Sequence, residues 1–339
     1  GGQTLAGGKI EHVDVPAGSV PVVGRSRITL PEVPKALKAT LVAELEAAGA
    51  KNSWNLWIFP KFRPQPDGGK GLAATAGLFK VLAKRYPAVT KLGSAEAGAA
   101  RLVVAQRLIE PGVLEALEQG KSVVCLSLPG YDTLRPGVRL GWWQVTNQTG
   151  TAIAAHPALG DFPHDGYLDQ GWFRLVDKAE KLDPGHKFRT VEPIIVGIGR
   201  QTGYRFGTLG YPLGFNLYAF QARVGRGKLL SAGLKLASDD PEAVYLLDQF
   251  IRYAGSEQFD PQGALSLADL REQIKCIQDL NGWSETVKAS EKTEWYTFLR
   301  TGTMYVVRQL KQPGSVVWKT GRWTPDEHGT VRFRWIANL

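Results

Sequence analysis

The sequence predicts an α/β protein in which a parallel sheet is flanked by partial β-sandwich segments. Between residues 70 and 254, short apolar runs alternate with stretches of helical periodicity, as is typical of parallel sheets. Before residue 60 and after residue 283, short apolar runs follow one another with turn signals between them. A connector rich in Pro and Gly lies at 62–69 and indicates a boundary. We therefore expect three segments, 1–62, 63–262 and 263–339.

The first segment, 1–62, has the pattern of a β-sandwich. Its short runs are separated by Pro and Gly, and a turn at Gly49–Asn52 precedes the apolar run 54–59. Only about four strands fit into this length, whereas an immunoglobulin-like sandwich needs about seven. We expect 1–62 to be the end of a sandwich that starts partway through the domain.

The middle segment, 63–262, contains the alternating elements. The pattern predicts helices at 71–86 and 111–120 and strands at 101–108, 121–130 and 192–199. The strand at 121–130 is apolar at nearly every position, which is typical of a strand buried on both faces. The region 130–190 is long, irregular and rich in aromatic residues and Gly.

A β-hairpin and a capped helix close this segment. Two extended runs within 216–236 surround Gly225 and Gly227, which favours a tight turn. Asp240 and Pro241 then provide the cap and first residue of a helix reaching Tyr253. The glycines also suggest a phosphate loop, but Leu229 follows Lys228 where the Walker pattern requires Ser or Thr and a helix.

The last segment, 263–339, is predicted to hold a helix from Ser266 to Leu280 and four β runs after Trp283. The final run still has strand character at Leu339, so we expect a second sandwich that is cut short. No repeat of 20–50 residues is visible.

Composition excludes several classes of function. The net charge of +9 is spread evenly over the three segments instead of forming the basic stripe of a nucleic-acid binder. No run of 18 apolar residues predicts a membrane helix, and the N-terminus lacks an intact secretion signal. Cys125 and Cys276 have no zinc-site spacing, and a disulfide between them stays open. We expect no metal and no cofactor.

Cys125 and three histidines are the candidates for catalysis. Cys125 ends the strand at 121–130, but it has none of the flanking glycines that a strained nucleophile turn requires. A buried structural thiol is therefore expected, with a nucleophile as the alternative. His156, His164 and His186 fall among loop signals without ligand spacing, which favours loop histidines over a metal or acid–base group.

Aromatic residues and carboxylates are the candidates for sugar chemistry. Aromatic faces stack on sugar rings or pack a loop onto a sheet, and packing is the more common role. The aromatic set is Trp142, Trp143, Trp172, Phe162, Tyr167 and Phe173; we predict weak sugar contacts at Trp142, Trp143, His164 and Trp172. Glycoside hydrolysis needs a carboxylate pair, but no motif pairs any of Asp132, Asp161, Asp165, Asp169 and Glu192.

Several motifs of the chain resemble the C-terminal region of glycoside hydrolase family 2 enzymes, the group of the β-galactosidases. They occur in the same order as in that region and cover roughly residues 10–262. They are Lys51–Pro60, His156–Leu159, Asp161–Pro163, Gln170–Val176, Ala219–Leu230, Pro241–Tyr253 and Phe259–Pro261.

The resemblance implies the end of an immunoglobulin-like domain followed by a flavodoxin-like or glutamine-amidotransferase-like α/β domain. It also implies a secreted or periplasmic location and carbohydrate as ligand. In that family the catalytic glutamates lie on a preceding (β/α)₈ barrel, so no catalytic residue is carried over to this chain.

We therefore expect a non-catalytic ancillary region that supports or shapes the sugar site of a barrel outside this chain, with a homo-oligomer possible. An independent carbohydrate-binding module and a Cys- or His-dependent hydrolase are the alternatives. Neither nucleic acid nor a membrane is an expected partner.

Overall fold

The structure is a computed structural model whose contacts divide the chain into two compact units, Gly1–Lys61 (unit 1) and Phe62–Leu339 (unit 2). It describes residues 4–10, 14–63, 68–129, 150–176, 179–180, 182, 188–200 and 213–271, and the strands at 294–300, 303–309, 316–318, 321–323 and 330–335.

Unit 1 contains one antiparallel hairpin, formed by β1 (Leu37–Leu45) and β2 (Ala50–Ile58). A single 3-10 turn at Glu46–Ala48 joins them, and Gly49 closes it with a φ of +58°. The turn thus begins three residues before the predicted one. The described residues before 37 form no strand, contrary to the sequence pattern. Prolines at 16, 21, 31 and 34 explain this, because proline cannot donate to a strand ladder.

Unit 2 is built on a mixed sheet of nine strands. In chain order they are β3 (Leu72–Ala74), β4 (Thr90–Lys91), β5 (Leu102–Ala105), β6 (Ser122–Cys125), β7 (Gly150–Ile153), β8 (Glu192–Arg200), β9 (Leu213–Val224), β10 (Gly227–Ala232) and β11 (Ala264–Leu265). The spatial order is β4-β3-β5-β6-β10-β9-β8-β7, with β11 beside β9.

The sheet has a parallel half and an antiparallel half. β4, β3, β5, β6 and β10 are parallel to one another, whereas β9, β8 and β7 continue the sheet with antiparallel pairs. The α/β class is therefore confirmed, but the sheet is mixed and not purely parallel. The sequence predicted the antiparallel hairpin of β9 and β10 but not the pairings of β8 and β7, which join residues far apart in the chain.

Four α-helices are assigned in the described part of unit 2: α1 (Ala76–Ala83), α2 (Val113–Glu118), α3 (Phe173–Val176) and α4 (Pro241–Ala254). The predicted helix at 71–86 proves to be β3 followed by α1. Thr75 lies at the junction, where its backbone N–H still bonds the carbonyl oxygen of Val104. The predicted helix at 241–254 is confirmed, with Asp240 at the N-cap and Pro241 in the first turn.

The predicted hairpin is confirmed as β9 and β10, and it lies inside the sheet. Gly225 makes the turn with a φ of +60°, and Val224 pairs with Gly227. β10 also pairs with β6, so this hairpin connects the two halves of the sheet. Tyr218, Phe220 and Leu229 of this hairpin are fully buried, whereas Arg223 and Arg226 are exposed.

The segment after residue 262 begins within the same sheet. β11 pairs with β9, and Leu265 and Leu270 belong to the hydrophobic core. A helical turn starts after Ser266, and its described part covers 267–271. The predicted C-terminal β runs are confirmed as β12 (Glu294–Arg300), β13 (Thr303–Gln309), β14 (Val316–Trp318), β15 (Gly321–Trp323) and β16 (Thr330–Trp335), paired as β12-β13-β16 and β14-β15.

Candidate functional site

The carboxyl edge of the parallel strands is the place where an α/β sheet usually binds a ligand. Such ligands lie where the strand order reverses. Here β4 lies on one side of β3 and β5 lies on the other, so the order reverses between β3 and β5. Thr75, directly after β3, is buried and its Oγ1 accepts a hydrogen bond from the backbone N–H of Gln106, 3.3 Å away. The two strand ends are therefore joined to each other.

Cys125 ends β6 at the same edge, and it is completely buried. It belongs to the hydrophobic cluster that includes Val113 and Leu117 of α2, and its Sγ lies 3.4 Å from Oγ of Ser127. Burial raises the pKa of the Cys125 thiol to about 12. The thiol is therefore neutral at physiological pH, and since only the thiolate is a strong nucleophile, Cys125 is not an activated one.

Two carboxylates near Cys125 are engaged by backbone amides. Glu110 accepts a hydrogen bond of 2.9 Å from the N–H of Arg107, and Glu180 accepts one of 2.7 Å from the N–H of Leu128. Burial raises the pKa of Glu180, against the opposing effects of the Leu128 hydrogen bond and the charge of Arg107. Both carboxylates thus hold the loops that follow β5 and β6 in place.

The two described histidines each organise a local turn. His156 caps the 3-10 helix Pro157–Leu159, where its Nδ1 accepts from the N–H of Ala158 at 3.2 Å. Burial lowers the pKa of His156, and the nearby charge of Glu192 partly offsets this. Nδ1 of His164 accepts from the N–H of Gly166, also at 3.2 Å. His186 and Cys276 lie outside the described residues.

Glu192 is the centre of a polar cluster that sequence reasoning did not find. Its Oε2 accepts from Nε2 of Gln221 at 2.6 Å, and Oε1 of Gln221 accepts from the hydroxyl of Tyr253 at 2.9 Å. Oε1 of Glu192 accepts from the backbone N–H groups of Gln262 and Gly263, the latter at 2.6 Å. This carboxylate fixes the loop before β11, and only the register that pairs Glu192 with Gln221 could have indicated the cluster.

The aromatic set divides between core and surface. Trp172 is fully buried and its ring centroid lies 4.2 Å from that of Phe162, so it packs the core and presents no face to a sugar at the surface. This burial favours the packing role, and the sugar contact assigned to Trp172 stays a prediction. Tyr167 and Phe173 are exposed, whereas Trp142 and Trp143 lie outside the described residues.

Two of the candidate carboxylates accept hydrogen bonds from backbone amides in the described structure. Asp169 uses its Oδ1 to accept from the N–H of Gly171, and Glu192 serves the loop before β11. Asp132 lies outside the described residues. Within the described ranges, no cluster of His, Cys, Asp or Glu side chains could hold a metal ion, and no helix is long and apolar enough to cross a membrane.

The fold and this edge define an α/β protein with a mixed sheet and a buried cysteine at the end of a parallel strand. The model of the family DUF8487, a domain of unknown function, matches residues 104–275, which is half of the chain, so the chain belongs to this family. The model of DUF8488, also a domain of unknown function, matches residues 1–60. No curated protein matches the chain.

Three solved structures similar to parts of this chain are β-galactosidases. The enzyme from Bacillus circulans sp. alkalophilus is 13% identical with a TM-score of 0.29, and 79% of this chain covers 41% of that one. The enzyme from Rahnella sp. R3 is 13% identical with a TM-score of 0.27, and 80% of this chain covers 41% of that one. The enzyme from Halorubrum lacusprofundi is 14% identical with a TM-score of 0.26, and 78% of this chain covers 39% of that one. The chain spans about two fifths of their length, and TM-scores this low establish no common fold.

Proposed function

We propose that unit 2 is a non-catalytic ancillary domain of a family 2-like glycoside hydrolase, in which it supports or shapes the sugar site of a barrel outside this chain. In this proposal its sheet is a glutamine-amidotransferase-like scaffold without a working nucleophile. The observation that carries the non-catalytic part of the proposal is the complete burial of Cys125, which raises the pKa of its thiol to about 12; the family 2-like part rests on the motif resemblance.

The surroundings of Cys125 support the same conclusion. A cysteine nucleophile requires a base that accepts its proton and a route for the substrate to the sulfur. The Cys125 thiol shares a hydrogen bond with the Ser127 hydroxyl, which is not a base; burial raises the thiol pKa, Ser127 partly offsets this, and the carboxylates of Glu180 and Glu110 add to the increase. A neutral thiol inside an apolar cluster acts as a packing residue.

The motifs on which the family resemblance rests have framework roles in the described structure. His156 caps a short helix, Trp172 packs in the core, and Gln221 is part of the cluster that fixes the loop before β11. Residues that build and fix a fold are what a scaffolding domain would keep.

The first experiment measures the accessibility of Cys125 in the full chain. Native protein is treated with iodoacetamide at pH 8, digested, and analysed by mass spectrometry for carbamidomethyl Cys125; a guanidinium-unfolded sample gives full labelling. We expect native labelling at least 100-fold slower than in the unfolded sample, because both burial and the raised pKa suppress the thiolate. Labelling at comparable rates would overturn the proposal.

The second experiment measures turnover. The chain and its Cys125→Ala variant are assayed with nitrophenyl esters, glutamine and nitrophenyl glycosides, and we expect neither protein to act on any of them. Hydrolysis by the wild type that the variant loses would establish a thiol enzyme, and glycoside hydrolysis would place a catalytic site within this chain. Either outcome contradicts an ancillary role.

A further inference from the structure

The segment that follows α4 lies against the sheet of unit 2, and we call its residues 259–271 the strap. An exposed linker at 255–258 separates the strap from α4. Phe259, Leu265 and Leu270 of the strap are each no more than 4% exposed. The strap is therefore anchored by three apolar side chains, although its ladder with the sheet is limited to the two residues of β11.

The strap occupies an edge of β9 that β8 leaves open. β8 begins at Glu192, which pairs with Gln221, whereas β9 continues to Val224. β11 pairs in parallel with Arg223 and Val224, so it takes up the part of β9 that β8 does not reach. The other side of β9 is paired with β10 as far as Val224. The strands at this edge are therefore paired with one another and do not need the strap as a link.

Two side chains of unit 2 bind carbonyl groups near the ends of this contact. Nζ of Lys228 donates to the carbonyl oxygen of Phe259 at 2.6 Å and lies 3.4 Å from Oδ1 of Asp260. Oγ1 of Thr190, which precedes β8, donates to the carbonyl oxygen of Ala264 at 2.6 Å. Both hydrogen bonds are made to the backbone of the strap.

The middle of the strap is bound on both its carbonyl and its amide groups. Nη2 of Arg223 donates to the carbonyl oxygen of Gln262 at 3.2 Å, and the backbone N–H of Arg223 donates to that of Gly263 at 2.7 Å. The N–H groups of Gln262 and Gly263 donate to Oε1 of Glu192. Hydrogen bonds to the main chain, combined with sites for a few side chains, are the way in which sheet edges bind extended peptides.

Gly263 is the position at which this edge selects the sequence of the strap. A Cβ at Gly263 would overlap the carbonyl oxygen of Thr190 and would lie 3.1 Å from the backbone nitrogen of Glu192. Backbone atoms cannot move aside without displacing their strand, so a larger residue is disfavoured here. The edge therefore fits an extended segment with glycine at this position and buried apolar side chains four residues before it and two residues after it.

We propose that this edge is a binding site for an extended peptide and that the strap occupies it as an intramolecular ligand. The strap leaves and returns as a unit while β8, β9 and β10 stay paired. The closed state predominates, because opening removes Leu265 and Leu270 from the hydrophobic core. The site makes no use of Cys125, so this proposal is independent of the proposed ancillary role.

Native-state hydrogen exchange of the full chain tests whether the strap opens as a unit. The amides of Gln262 and Gly263, together with the Arg223 amide that donates to the strap, should share one protection factor. This factor should be at least tenfold lower than that of the Leu230 amide, because β10 is paired on both sides. Protection of Gly263 equal to that of Leu230 would overturn the proposal, since the strap would then open only when the sheet unfolds.

A peptide titration tests the binding site itself. Gly263→Ala in the full chain should displace the strap, because the added Cβ overlaps the backbone at Thr190. A fluorescein-labelled peptide with the wild-type sequence of residues 257–271 is then titrated, and fluorescence polarisation is measured. We expect this peptide to bind the variant at least tenfold more tightly than the wild-type chain, whose site is occupied. The same peptide carrying Gly263→Ala should bind the variant at least tenfold more weakly.

A lysine elsewhere in unit 2 provides the matched control. Lys228→Ala, added to Gly263→Ala, should weaken peptide binding about tenfold, as expected for a hydrogen bond from a charged group. Lys121→Ala should leave it unchanged, because the Lys121 ammonium also donates to backbone carbonyl oxygens, but to those of residues 97 and 98. Circular dichroism confirms that each variant is folded, and the exchange measurement on the wild type decides if Gly263→Ala is not.

Three outcomes of the titration would overturn the proposal. The first is a wild-type peptide that binds the folded Gly263→Ala chain no better than the wild-type chain. The second is equal binding of the peptide that carries the Gly263→Ala change. The third is an equal loss of binding in Lys121→Ala and Lys228→Ala. None of these outcomes involves thiol labelling or turnover, so they leave the test of the ancillary role unaffected.

Discussion

Replacing Trp172 by alanine separates its packing role from a sugar-binding role. Trp172 is fully buried against Phe162, and its Nε1 has no hydrogen-bond partner among the described residues. Truncation of a buried Trp to Ala costs about 3–5 kcal/mol. Removing a buried donor that has no partner stabilises the folded state by about 1–3 kcal/mol. The net loss in the free energy of unfolding should be about 3 kcal/mol, toward the upper end of that difference.

Thermal unfolding measures this loss. For a unit of this size, 1 kcal/mol shifts the midpoint by about 2–4 °C, so Trp172→Ala should lower the midpoint of unit 2 by about 6–12 °C. Near-ultraviolet circular dichroism follows the transition. Trp172→Phe should be close to neutral, because the smaller ring forfeits some packing but eliminates the unpaired N–H.

The adjacent residue provides the control. Phe173 is 55% exposed, and substitutions at exposed positions away from special features usually change stability by less than about 0.5 kcal/mol. Phe173→Ala should therefore melt within about 2 °C of the wild type. If Trp172→Ala were as stable as the wild type, or Phe173→Ala lost as much stability, the assignment of core and surface would be refuted.

Three further predictions concern polar contacts and packing in unit 2. Burial lowers the pKa of His156, so below about pH 6.5 the unfolded state binds more protons than the folded state, and the free energy of unfolding decreases as the pH is lowered. His156→Asn can still accept from the N–H of Ala158 and should make this decrease smaller, as measured by urea titrations at pH 7 and pH 5. Glu192→Gln should cost about 1.5–3 kcal/mol and speed hydrogen exchange at the Gly263 amide. Gly227→Ala should cost about 1–3 kcal/mol in thermal melts, because its Cβ would lie 2.6 Å from a carbonyl oxygen of α2.

Matched substitutions control for general effects. Glu257 is an exposed carboxylate beyond α4, so Glu257→Gln should leave amide exchange before β11 unchanged. A Cβ added at Gly98 would meet no atom of the described residues within 4 Å, and Gly98→Ala should be neutral or slightly stabilising. Equal losses in these controls, or an unchanged pH profile in His156→Asn, would contradict the respective contacts.

Local signals explain why part of the fold could be predicted. Gly225 supplies the positive φ of the β9–β10 turn, and Asp240 with Pro241 starts α4; each feature lies next to the element that it determines. The strand β3 was missed because three apolar residues run directly into the helical pattern of α1. It is a strand because of its pairing with β5, about thirty residues away.

The candidate site was less predictable because burial is decided by tertiary contacts. Trp172 and Phe173 are adjacent aromatic residues, yet one is fully buried and the other exposed. Neither strand nor helix periodicity separates them, since a 3-10 turn changes to α-helix at this point. For Cys125, by contrast, the missing glycines correctly indicated a buried thiol.

The arrangement of β6 and β10 has a consequence for how the chain folds during synthesis. β6 pairs with β5 on one side and with β10 on the other, and Ser122 aligns with Lys228, more than one hundred residues later. At about 5–20 residues per second, a ribosome needs roughly 5–20 s to deliver that second neighbour. During this interval the apolar edge of β6 is open to other chains, so chaperone binding to nascent chains should peak after β6 and decline once β10 emerges.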